Sequence, residues 1–409
     1  MLTSLAFIFL VGLSMAAICQ KLKLPRIIGM LITGIVLGPY VLDLLDPSIL
    51  SISSELRQMA LIIILLKAGL SLDLSDLKKV GRPAIMMSCV PASFEILAFF
   101  LFAPYLLGVS RIEAAVMGAV LGAVSPAVVV PRMVQLMDSR YGTQKSIPQL
   151  VMAGASCDDI FVIVLFTTFV SMAQGGQVHI MDFVNIPISI VLGIVLGAFV
   201  GFLLSMFFET AYAHKHCVRN SMKVIIVLGV SFMLMAIETW AEGFVSISGL
   251  LAVVSMACVL KLKSITFVSK RLSEKFGKLW IAAEVILFVL VGAAVDIRYT
   301  MGAGLAAIAM IFLALVFRGI GVSICLIKTN LNWKERLFCV IAYLPKATVQ
   351  AAIGSVPLAR GLSCGQIVLS VAVLAILITA PLGAIGMDLT YKKLLVQEEL
   401  KKSETIKAE

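Results

Sequence analysis

The chain has 409 residues, 61% of them apolar and 14% charged, with a mean hydropathy of +1.08. Soluble domains carry about a quarter charged residues, so a water-soluble globular enzyme is excluded. At about 20 residues per crossing the length fits one polytopic helical membrane domain over 1–409, with no room for a sizeable soluble one.

Apolar runs bounded by charges or turn residues predict thirteen spans. They lie near 2–20, 27–45, 59–72, 84–107, 112–131, 147–172, 184–209, 222–238, 244–260, 279–295, 303–327, 336–359 and 365–391. The first run lacks a positive leader and is followed by Lys21, Lys23 and Arg26, the flank of an inserted helix with its amino terminus outside rather than of a signal peptide. With that orientation, 26 of the 33 basic residues fall on the cytoplasmic side and four (Arg57, Arg111, Arg298 and Arg360) on the outer side. The formal charge of +10 is therefore an orientation signal, and no nucleic-acid partner is expected. The expected location is a bacterial inner (plasma) membrane, with a short charged tail, 392–409, in the cytoplasm. The eight cysteines have neither CxxC nor His-spaced pairing, so they suggest neither a disulfide framework nor zinc.

The sequence repeats itself. Gly69 and Asp73 correspond to Gly292 and Asp296, and 26 residues after each glycine stands an intramembrane ion, Glu95 or Arg318. Farther on, each half has a proline-broken helix, Ser125-Pro126 with Pro131 and Pro345-Lys346 with Pro357, while Gly29 and Gly249 match upstream. The offset, near 220 throughout, defines repeat one over about 1–172, a linking helix over about 184–209 and repeat two over about 222–391. Six spans per repeat and one between them invert the second copy. Inverted repeats with broken helices are the mark of secondary transporters, because backbone groups freed in mid-membrane are tolerated only where they line a cavity or ion site. The plainer alternative is that the prolines only kink packed helices.

Six ionisable residues fall inside spans: Lys67, Glu95, Asp158, Asp159, Arg318 and Lys346. Each charge at mid-bilayer costs roughly 2.5–3.5 kcal/mol on insertion scales. Glu95 and Asp158 lie 13 residues, and Arg318 and Lys346 ten residues, from the nearest cytoplasmic charged end, which puts all four about 15–20 Å deep. Adjacent carboxylates in low dielectric resist double ionisation and act as a coupled pair. Asp158 and Asp159 can thus hold a proton or a small hard cation in competition. Glu95 and Arg318, at equivalent repeat positions, are expected to pair, and Lys346 to neutralise the negative end of a half-helix. Lys67 is expected to snorkel to the cytoplasmic face, outside the site. Ser125 is a candidate oxygen ligand or a helix-local hydroxyl, with Ser156 and Thr33 weaker candidates. His179, His214 and His216 read as solvated loop residues that could at most tune a pH response. No resident cofactor is expected, since Na+ or Li+ and H+ are cargo.

The segments Ala123-Val124-Ser125-Pro126-Ala127-Val128-Val129-Val130-Pro131, Ser156-Cys157-Asp158-Asp159-Ile160, Phe317-Arg318-Gly319 and Leu344-Pro345-Lys346-Ala347-Thr348-Val349-Gln350-Ala351-Ala352 resemble the monovalent cation/proton antiporter superfamily. Within it they are similar to the NHA branch of paired-aspartate exchangers, over nearly the whole chain. The resemblance implies a thirteen-helix fold with a six-helix core domain and a dimerisation domain, an elevator-like movement and a homodimer. It implies Asp159 as principal cation and proton ligand, with Asp158 its partner. Arg318 stands where electrogenic bacterial members carry a lysine. That departure favours pairing with Glu95, as in the branch that includes animal members, and electroneutral one-for-one exchange. Ser125 replaces an acid found in some relatives.

Alternatives on a related fold are a K+/H+ antiporter, a channel or a sodium-coupled symporter. A symporter needs an aromatic and hydrogen-bonding substrate cavity, whereas the broken helices here carry mostly Ala and Val. An intramembrane aspartyl protease needs carboxylates converging from two helices, and these two are neighbours on one.

Overall fold

The computed structural model describes residues 1–71, 81–174, 180–213, 219–241 and 247–398, and among these every regular element is helical. Asp73, His179, His214, His216, the side chain of Ser156 and tail residues 399–409 lie outside the described part. The first three predicted spans fall on α1 (Leu2–Lys21), α2 (Arg26–Leu37), the short α3 (Pro47–Ser51) and α4 (Ser53–Ser71). The next three fall on α5 (Arg82–Met87) with α6 (Val90–Leu107), α7 (Arg111–Gly122) with α8 (Pro126–Asp138), and α9 (Ile147–Gln174). The linking helix is α10 (Ile180–Ala213). The second half is built from α11 (Asn220–Ala241), α12 (Gly249–Lys263), α13 (Thr266–Ala293), α14 (Ile297–Cys325), α15 (Trp333–Ala342), α16 (Thr348–Gly354), α17 (Val356–Ala359) and α18 (Gly365–Leu394). Nine helical stretches among the described residues are long and apolar enough to cross a membrane, and the chain is an integral membrane protein.

Two of the boundaries that differ from expectation lie at proline; elsewhere the tenth span begins at Thr266 rather than 279 and the third at Ser53 rather than 59. The second span, predicted to run to 45, ends at Leu37 because Gly38 turns extended (ψ 172°) before Pro39. The fourth is interrupted at Ser88 and Cys89, where Pro91 lacks the N–H that a continuous helix would use and crowds the carbonyl four residues back.

The helices pack as two groups. A frame group contains α1–α4 and α10–α13, and an aspartate group contains α5–α9 and α14–α18. Packing within the frame group is mirrored between the halves: α2 lies against α13 as α12 lies against α4. The repeated glycines sit at these crossings. A Cβ on Gly292 would stand 2.3 Å from the Leu31 carbonyl of α2, and one on Gly69 would stand 2.6 Å from Ala257 Cβ of α12. Small residues let helix backbones approach where lipid supplies no hydrophobic drive.

The mirror extends to the broken helices. Each begins with a reciprocal cap, Ser110 with Glu113 at α7 and Asn332 with Glu335 at α15. Each capping glutamate also ties down the segment before the next long helix. Ser363, before α18, donates to Glu113 Oε1 (2.6 Å), and Lys145, before α9, pairs with Glu335 Oε2 (2.8 Å). Past α18 the chain pairs with the connector between α8 and α9: the Gly142 amide donates to the Val396 carbonyl and the Glu398 amide to the Arg140 carbonyl, each at 2.9 Å.

Candidate functional site

The two helix breaks cross and touch. Residues 123–125 and 343–347 leave the helical path, and the Ser125 amide donates to the Pro345 carbonyl (2.8 Å). Several other freed backbone groups are satisfied by side chains. The Val124 amide donates to Asp158 Oδ2 (2.8 Å), the Lys346 amide to Thr379 Oγ1 (3.0 Å) and the Ala347 amide to Gln350 Oε1 (2.8 Å). Gln350 Nε2 and Lys346 Nζ both donate to the Ala123 carbonyl, at 2.7 and 3.2 Å.

Arg318 is the hub. Fully buried, its guanidinium donates to the carbonyls that end both first half-helices, Gly122 and Tyr343, to Glu95 Oε2 (2.7 Å) and to Asp158 Oδ2 (3.0 Å). Lys346 reaches the same Glu95 oxygen at 2.6 Å. The pair Glu95–Arg318 expected from the repeat is present, but the charge division is richer than the sequence implied. Arg318 serves Asp158 as well, and Lys346 serves Glu95 besides the half-helix end at Ala123. With every group ionised, three carboxylates stand against two cations, a formal excess of one negative charge.

Among the three carboxylates Asp159 is the one outside these ion pairs. One turn-position on from Asp158 along α9, it points about 100° away and is 7% exposed. Its carboxylate lines a cavity of about 730 Å³ between the two helix groups. Oδ1 of Asp159, Oδ1 of Asp158 and Oγ of Ser125 are buried and have no hydrogen-bond partner. Beside Asp159 the cavity is walled by Pro126 and Thr348, the first residues of α8 and α16, and across it by Lys67, Trp280 and Glu284 of the frame group. Its outer rim carries Lys23, Arg26 and Arg132, so it opens toward the basic face. No cluster of three or more His, Cys, Asp or Glu that could hold a metal occurs among the described residues.

Two sequence expectations change. Lys67, expected outside the site, lines this cavity, with Nζ 5.9 Å from the centre of the Trp280 ring. The reason is that α4 leans on α13, which brings the Trp280 ring beside the ammonium. Glu284 belongs with the charges inside spans and was missed. It lies only six residues past Lys278, about 9 Å in, shallower than the four mid-membrane charges, although the same depth count would have found it. Thr33 stays on its own helix, donating to the Gly29 carbonyl (2.8 Å).

Crossing broken helices around buried charges define a secondary transporter. The family described as "Sodium/hydrogen exchanger, transmembrane" matches residues 5–391, and the chain belongs to that family of cation/proton antiporters. The sodium/hydrogen exchanger 9B2 of Homo sapiens is 34% identical over 401 residues, covering 94% of this chain and 73% of the relative. Exchanger 9B1 of Homo sapiens is 32% identical over 390 residues, covering 91% and 73%. Among solved structures, the sodium proton antiporter MjNhaP1 from Methanocaldococcus jannaschii superposes with a TM-score of 0.79 over 96% of this chain and 98% of that one. At 21% identity that likeness speaks to the fold. The curated relatives are animal proteins and lend no support to a bacterial inner membrane.

Proposed function

We propose that the protein exchanges Na+ or Li+ for protons, cation and proton competing for the Asp159 carboxylate, with Asp158 as its partner and Ser125 Oγ as a further oxygen ligand. The observation that carries this reading is the contrast between neighbours. Oδ2 of Asp158 is engaged by Arg318 and the Val124 amide, while Asp159 lines an open cavity; each keeps one buried oxygen without a partner. One uncompensated negative charge accepts one monovalent ion or one proton. The two cannot share it at full strength, and their competition couples the fluxes. Glu95, Arg318 and Lys346 act as structural and electrostatic fixtures. They hold the two broken helices at a fixed crossing and neutralise half-helix ends, and Arg318, which keeps its proton, carries none. One-for-one, electroneutral exchange follows.

The excess of basic residues supports a cytoplasmic cavity mouth, an outer amino terminus and a cytoplasmic carboxyl terminus. The sparse packing between the two helix groups supports an elevator movement of the aspartate group, comprising the spans around α5–α9 and α14–α18, against the frame. The long apolar face of α10, with Phe199, Phe202 and Phe207 exposed, suits a homodimer contact within the bilayer. In everted vesicles with a preset pH gradient, Na+ or Li+ should release protons and Asp159→Asn should abolish the release. Normal exchange by Asp159→Asn removes that carboxylate from the mechanism.

A further inference from the structure

The cavity separates the two helix groups on the basic face. On the opposite face they are joined. Arg360 Nη2 pairs with Glu238 Oε1 at 3.2 Å. The ion pairs around Glu95, Arg318, Asp158 and Lys346, and those of Arg132 with Asp388 and Lys145 with Glu335, stay within the aspartate group, whereas this one crosses from it to the frame.

Both partners are anchored. Glu238, near the end of α11, accepts the Gly249 amide on Oε2 (3.2 Å), so the first N–H of α12 holds the carboxylate and turns its other oxygen outward. A Cβ on residue 249 would stand 2.7 Å from that Oε2 and would push the carboxylate off this amide. Arg360 directly follows α17, the last piece of the second broken helix, and its Nη1 donates to Gln174 Oε1 (3.3 Å). Gln174 is the final residue of α9, the helix that carries both aspartates. One guanidinium therefore grips the broken helix, the aspartate helix and the frame together, which its planar fork permits and a lysine could not reproduce. The side chains are 34% and 25% exposed, so water can replace the bond, as it must if the contact opens in every cycle.

We propose that Arg360 and Glu238 form a latch that closes the two helix groups on the face away from the cavity and so biases the exchanger toward the state open to the basic face. The proposal rests on the alternating-access reading above.

The test uses the full chain with its eight cysteines replaced and Val130→Cys, on the cavity wall, as reporter. Everted vesicles are treated with a membrane-impermeant maleimide. Arg360→Gln and Glu238→Gln, made separately so that either can decide, should each slow labelling about twofold to fivefold, the range expected for a partly exposed ion pair. Arg360→Lys should recover part of the rate. Joining Glu238→Cys to Arg360→Cys with a short bifunctional maleimide should stop exchange and keep labelling fast. Unchanged labelling in both glutamine variants, or normal exchange through the cross-link, overturns the latch. Slowed labelling in a protein whose parent chain exchanges no Na+ for H+ supports the latch and removes the exchange reading instead.

Discussion

Adjacent carboxylates with opposite surroundings should respond with opposite sign to the same chemical change. Asp158→Asn keeps an oxygen for the Val124 amide but removes the negative charge that faces Arg318 at 3.0 Å. Arg318 still has Glu95, but Glu95 is shared with Lys346, so two buried cations are left with one carboxylate in direct contact. Breaking one partner of a buried ion pair costs about 3–5 kcal/mol, most of it from the charge left behind. Asp159→Asn removes a carboxylate with no cation in contact, and it relieves repulsion from Asp158, so stability should hold or rise. The assay is the unfolding midpoint in detergent, followed by size-exclusion fluorescence, at a pH where both acids are ionised and without Na+ or Li+. A loss for Asp159→Asn as large as that for Asp158→Asn, or no loss for Asp158→Asn, would refute the division of labour drawn from these contacts.

Further outcomes can be checked with the same protein. If cation and proton compete for Asp159 as proposed, lowering the pH protonates it and weakens cation binding. The KM for Na+ should rise toward tenfold per pH unit on the acid side, and a pH-independent KM would sink the competition. Ser125→Ala removes a hydroxyl that bonds nothing in the fold, so the melting midpoint should stay put while the KM for the cation rises several-fold; equal kinetics would remove Ser125 from the ligand set. Gly34→Ala would place a Cβ 1.9 Å from the Val289 carbonyl, whereas Gly229 has nothing within 4 Å. The first should cost more than the 1–3 kcal/mol of ordinary overpacking and the second should be neutral, as read from expression and melting of each variant.

Much of this arrangement was legible in the chain itself. A constant offset between Glu95 and Arg318 sufficed to pair them across the centre, because inversion brings equivalent positions to one axis. The proline positions located both interruptions, and residue counts from the charged ends put at one level four charges that the structure brings into contact. What escaped was multiplicity. A guanidinium has five N–H donors, and nothing in spacing tells that Arg318 divides them among two helix ends and two acids. Lys67 escaped for another reason: its surroundings come from a frame helix far along the chain. Glu284 was within reach of the depth count itself. The matching caps at Ser110 and Asn332, 222 residues apart, were readable as a further echo of the repeat, since both carry a glutamate three residues on.

The short backbone ladder joining Val396 and Glu398 to the turn at Arg140 and Gly142 fastens the carboxyl end of the described chain to the piece that carries the aspartates. On the elevator reading proposed above, a fluorophore fused after that seam would move with the aspartate group, while one on α1 would report from the frame. The distance between two such labels would then measure the displacement, and any partner that seized the tail would be pulling on the aspartate group itself.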